Sequence, residues 1–163
     1  MSAVSYWVGA NGGLVHDPRY DRLTHVCLPL VEAVGPGRVN VRMLDTPAVG
    51  AYVWPDGTVY VTHGLYDLAS DEELAAAVAH EIGHLLADGH VPALAALSGG
   101  RHDTDDAEVR ADALGARLLD QCGITRSAML TLLKKLRAAP FTDESCRRHI
   151  DQRIQAITIG NEA

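Results

Sequence analysis

The sequence lacks any apolar run of the roughly 18 residues that a membrane-spanning helix needs; Gly, Asp or His interrupts each one sooner. It also lacks a C-x-x-C pair. Cys27, Cys122 and Cys146 stand far apart among apolar neighbours and read as buried free thiols in a reducing compartment. Residues 1–11 hold no Lys or Arg and do not read as a secretory signal. Positive charge is scarce: 14 Lys and Arg face 21 Asp and Glu, a net of −7. Residues 1–125 carry 7 basic against 17 acidic side chains, whereas residues 126–163 carry 7 against 4. Most of such a surface repels a phosphate backbone, which argues against a nucleic-acid partner. Hydrophobic residues at 47% and charged residues at 21% are ordinary globular usage, so disorder is excluded. What is left is a soluble, cytoplasmic protein with no stable membrane insertion. Its 163 residues suffice for one domain, residues 1–163, with its own core.

Local pattern gives the element order. Asp17 and Pro18 cap an amphipathic helix that runs to Val34 and ends at Gly35-Pro36-Gly37, with Pro29 expected to kink or shorten it. Residues 38–44 alternate as a strand. Residues 51–54 and 58–62 flank Pro55-Asp56-Gly57 as a hairpin, and Trp54 and Tyr60 in it, like Trp7 upstream, read as core aromatics. A short helical segment at 64–68 precedes the clearest helix, which Ser70 and Glu73 open as a capping box and which runs to about Ala87. Helices over about 105–121, 125–138 and 143–157 follow, and residues 158–163 are expected to fray. The class is α+β: a helix, a small antiparallel sheet, then helices packed on it.

Histidine is the one excess. Four of the eight, His80, His84, His90 and His102, fall within 23 residues. His80-Glu81-Ile82-Gly83-His84 lies inside the capped helix, where histidines at i and i+4 share a face and can reach one metal ion. Glu81, directly after the first, swings beside the metal and can take a proton from an activated water. Random placement of these 8 His and 7 Glu would give the pattern with a probability of only about 0.02. A catalytic metal wants a third protein donor. Glu108 and Asp112, at i and i+4 on the next helix, supply a donor and a carboxylate one turn on to orient a ligand histidine; His90 and His102 rank below them.

Residues 42–119 resemble the gluzincin metallopeptidases of the CAAX prenyl endopeptidase and HtpX-like family. The matching stretches are LDTPAVGAYVWPDGTVYVTHGLYDL, DEELAAAVAHEIGHLLADGH and EVRADALGARLL, with a looser likeness over residues 129–136 and at Arg153-Ile154. The resemblance implies a zincin-like fold and one Zn2+ per chain, held by His80, His84 and Glu108, with Glu81 as general base. It further implies a peptide or protein substrate laid along Thr58, Val59, Tyr60, Val61 and Thr62 as a sheet edge. Family members usually carry membrane helices, which this chain lacks. A His-Pro pair usually precedes the late Arg-Ile by six residues; here Arg147 stands there, so His149 and Arg153 are the candidates for stabilising the oxyanion. The expected activity is zinc-dependent endopeptidase. Two alternatives stand beside it: a zinc-binding regulatory or interaction module with restricted turnover, and a hydrolase of a small peptide-derived amide.

Overall fold

Several helix starts in this chain coincide with side chains able to take up the orphaned amides. In the computed structural model, which describes residues 2–88 and 105–162, Ser2 caps α1 (Ala3–Ala10) by accepting from the Ser5 amide. Asp17 caps α2 (Pro18–Val34) through the Arg19 amide. Thr62 caps α3 (His63–Leu68) through that of Leu65. The capping box at α4 (Asp71–Asp88) is complete: the Ser70 amide donates to Glu73 at 2.8 Å and the Glu73 amide to the Ser70 hydroxyl at 3.3 Å. Helix α5 (Asp105–Gln121) ends as the sequence pattern expects. Gly123, at φ +69°, lets the amides of Gly123 and Ile124 turn back to the Asp120 and Leu119 carbonyls. Helices α6 (Ser127–Ala138) and α7 (Glu144–Glu162) complete the seven helices among the described residues.

Several expectations are corrected. Helix α1 falls in a stretch for which no element is expected. Pro29 does not shorten α2: it sits on the exposed side, while Leu23, Cys27 and Leu30 anchor both flanks in the core. Residues 158–162 continue α7 rather than fraying, with Ile157 packed against the core just before them. Cys27 is buried, its thiol pKa pushed up to about 12 by burial, but Cys122 is only partly buried and Cys146 is exposed in the first turn of α7.

The sheet is mixed, not antiparallel. Its order is β1 (Asn40–Leu44), β3 (Thr58–Thr62), β2 (Ala51–Val53), with β1 parallel and β2 antiparallel to β3. The hairpin at Gly57 is the expected one, and its φ of +83° explains the glycine. Strand β3 is therefore central and buried along its whole length, so Thr58 to Thr62 cannot be the open edge proposed for substrate. One sheet face, with Val41, Met43, Val59 and Val61, joins the main core. The other is covered by α1: the Trp7 ring lies 5.3–5.5 Å from those of Tyr52, Trp54 and Tyr60 and closes a second apolar cluster. Helix α4 runs through the centre, buried on every side from Leu74 to Ala79, between the sheet, α2, α5 and α6.

Candidate metal centre

The central helix carries its polar residues where a neighbouring helix comes unusually close. Where α4 meets α5, a Cβ on Gly83 would stand 2.3 Å from the Ala111 carbonyl oxygen, and one on Gly115 would stand 2.9 Å from the Ala79 carbonyl carbon. Backbone thus touches backbone at two points. This contact brings Glu108 and Asp112, the i and i+4 acidic residues of α5, onto His80, Glu81 and His84 of α4.

The donors converge. His80 Nε2 lies 3.2 Å from Glu108 Oε2, His84 Nε2 lies 3.2 Å from Glu108 Oε1, and the two histidine Nε2 atoms are 3.1 Å apart. All three donor atoms lie within 4.8 Å of one another, and this trio is the one candidate metal group among the described residues. His80 Nδ1 meets Asp112 Oδ1 at 2.7 Å. A carboxylate can only accept there, so Nδ1 is the nitrogen that donates to Asp112, and Nε2 is the one that faces Glu108 and His84. Burial and the Arg153 charge oppose protonation of His80, but its bonds to Asp112 and Glu108 outweigh them and raise its pKa. Burial works against the ionised forms of Glu108 and Asp112 as well. Both pKa values nonetheless lie below the ordinary range, because His80 and His84 hold Glu108, and Arg153 and His80 hold Asp112.

Charge agrees with that fit. Glu81, Glu108 and Asp112 bring three carboxyl groups to this region against the one guanidinium of Arg153, a formal excess of acidic groups that a divalent ion would offset. Two imidazole nitrogens and one carboxylate are the donor set of a catalytic zinc.

The family comparison bears on the same helix. The model of Peptidase family M48 matches residues 17–102, which include His80, Glu81 and His84. The chain belongs to peptidase family M48. Among curated proteins, it is 34% identical over 70 residues to metalloprotease LoiP of Escherichia coli (strain K12), a match covering 43% of this chain and 27% of that protein. The chain thus spans little more than a quarter of the length of that relative.

The M48 match ends before α5, so Glu108, Asp112 and Arg153 are brought to the site by geometry alone. His90 and His102, the rival donors, lie outside the described residues. Arg153, from α7, engages Asp112 twice: Nε donates to Oδ2 at 2.8 Å and Nη2 to Oδ1 at 2.7 Å. Its Nη1 lies 3.2 Å from Glu108 Oε2, so each guanidinium nitrogen faces a carboxylate. Arg153 therefore stands at the site, with its guanidinium turned to Asp112 and Glu108. His149, one turn earlier, is exposed and is not among the residues that line the cavity beside Glu81. That cavity, of about 170 Å³, opens beside His80, Glu81 and Arg153 and extends past Gly50 and Ala51 toward α6. The sequence alone gave no sign of it, because its walls come from elements far apart in the chain.

Proposed function

We propose that this M48 chain is a zinc-dependent endopeptidase with a zincin-like fold, within the CAAX prenyl endopeptidase and HtpX-like branch. The observation that carries the reading is the convergence of His80, His84 and Glu108 within 4.8 Å, with Glu81 buried beside them. Zinc held by those three residues would supply a Lewis acid that polarises a peptide carbonyl and acidifies water. Glu81 then serves as the proton carrier: it takes a proton from the attacking water and delivers it to the leaving nitrogen. Asp112 fixes the tautomer of His80, and Arg153 is a positioning residue that ties Asp112 and Glu108 together.

Substrate binding passes from β3 to β2. As the outer strand next to the cavity, β2 can hydrogen-bond an extended peptide regardless of its side chains, and Gly50 and Ala51 at its start stand beside His80 and Glu81. No helix among the described residues is long and apolar enough to cross a membrane. The test is Glu81→Gln, which keeps shape and all three donors. Bound zinc should remain at one per chain while cleavage of a peptide substrate falls by roughly 10²–10⁴-fold. Cleavage at the wild-type rate would refute the assignment.

A further inference from the structure

Strand β2 has only three residues and so little ladder of its own to fix its position, yet it starts beside His80 and Glu81. The buried hydroxyl of Thr62, at the end of β3, holds that start. Thr62 Oγ1 accepts from the Gly50 amide at 3.0 Å and donates to the Gly50 carbonyl at 3.0 Å. The Thr62 amide donates to the same carbonyl at 3.0 Å, and the Leu65 amide donates to Oγ1 at 3.2 Å. The hydroxyl thereby uses its one proton and both lone pairs, its full capacity. Two residues on, the loop before Gly50 lies against α3: a Cβ on Gly64 would stand 2.2 Å from the Pro47 carbonyl oxygen.

This clamp decides which backbone groups the edge offers. Gly50 bonds to Thr62, and the Trp54 amide donates to the Thr58 carbonyl, so both turn toward β3. Backbone groups alternate sides along a strand, so Ala51 and Val53 turn theirs to the open side. Ala51 also lines the cavity beside His80 and Glu81. On the basis of the peptidase reading, we propose that Thr62 is a positioning residue for hydrolysis. By clamping Gly50, its hydroxyl holds the Ala51 N–H and C=O in register for an extended substrate to pair with them beside Glu81. Thr62 itself is 1% exposed and meets no substrate. Valine has nearly the same shape but sets a methyl against the Gly50 amide, so the strand start must shift to recover a partner.

The test uses Thr62→Val, Thr62→Ser and Gly50→Pro in the intact chain with zinc bound. Gly50→Pro deletes the clamped amide while leaving the Thr62 cap of α3 in place. Asp17→Ala, which removes the cap of α2 instead, controls for the loss of a helix cap. Amide hydrogen exchange reads the clamp: Gly50 should lose protection in Thr62→Val and keep it in Thr62→Ser. Cleavage of an octapeptide should fall about 10–100-fold in kcat/KM in Thr62→Val and Gly50→Pro, with zinc still at one per chain. Thr62→Ser should restore most of it, and Asp17→Ala should cleave as wild type does. Octapeptides with one flanking amide at a time replaced by an ester read the pairing itself. One such ester should cost wild type roughly 3- to 10-fold, and the same ester should cost Thr62→Val and Gly50→Pro almost nothing. Wild-type cleavage by Thr62→Val, or an ester penalty that survives in both variants, would overturn the positioning role and leave the peptidase reading intact. A protected Gly50 amide in a wild type that cleaves no peptide would overturn the peptidase reading, and the positioning role with it.

Discussion

Substituting Gly83 by alanine isolates the contact that assembles the site. In an exposed helix interior such a change would stabilise by up to about 1 kcal/mol. Here the new Cβ would lie 2.3 Å from the Ala111 carbonyl oxygen and 2.9 and 3.0 Å from its carbonyl carbon and Cα. All three are backbone atoms, so no rotamer change relieves them, and a carbon–oxygen contact needs roughly 3.3 Å. Helices α4 and α5 must part by about 1 Å, at an overpacking cost of about 1–3 kcal/mol that exceeds the propensity gain. The net loss should lower Tm by several degrees, at roughly 2–4 °C per kcal/mol for a chain of this size. The same separation draws His80 and His84 away from Glu108 and Asp112, so zinc affinity falls with it, whereas metal ligands tolerate only about 0.2 Å. Gly9→Ala is the control: it sits exposed in α1 with nothing within 4 Å and should raise Tm slightly. Thermal melts and chelator titrations of the two variants decide the matter. A Gly83→Ala protein that melts at or above wild type and binds zinc as tightly would refute the close-contact argument.

Arg153→Met keeps the apolar stem but removes the bridge to Asp112 and Glu108. Zinc affinity, read by chelator competition, should fall about 10–100-fold, with only partial recovery in Arg153→Lys, which cannot reproduce the two-pronged contact. Unchanged affinity with lost cleavage would instead return Arg153 to an oxyanion role. Burial opposes the charged form of Glu73, but the hydrogen bonds from Lys135, at 2.6 Å, and from the Ser70 amide outweigh it and lower its pKa. A lowered native pKa means that the stabilisation is full above the ordinary carboxylate range and is lost as pH falls through the native value. Denaturant melts should therefore show Glu73→Gln less stable than wild type by about 1 kcal/mol at pH 7, with the gap closing in acid. A gap independent of pH would show that the charge of Glu73 plays no part.

Features written in local pattern were legible in the sequence. Asp17-Pro18, the Ser70–Glu73 box and the Cys122-Gly123 stop each act within one turn, and the helices they bound fall where the pattern puts them. The i, i+4 spacings of His80 with His84 and Glu108 with Asp112 are equally local, so the candidate ligands could be named before their helices were known to cross. Pairing between distant segments could not be read in the same way. Alternation marks a strand but not its neighbours, so it could not test the edge that the resemblance implies for β3, which β1 pairs parallel from one side and β2 antiparallel from the other. Helix α1 was missed for a related reason: its Trp7 finds its purpose only against Tyr52, Trp54 and Tyr60 on the outer sheet face. The role of Arg153 depends on α7 folding back onto α5, and the cavity on α6 facing α4. Neither leaves a mark in the residues themselves.

Zinc stoichiometry and affinity, measured by elemental analysis and chelator competition on wild type, Glu108→Ala and Asp112→Ala, test the centre most directly. Thermal melts with and without zinc confirm that each variant is folded. Wild type should hold one zinc per chain. Glu108→Ala should leave a two-histidine site that surrenders the metal to a mild chelator, while Asp112→Ala, with its ligand set intact, should keep zinc at about 10–100-fold lower affinity. A folded Glu108→Ala protein that retained one zinc per chain as tightly as wild type would contradict the site described here.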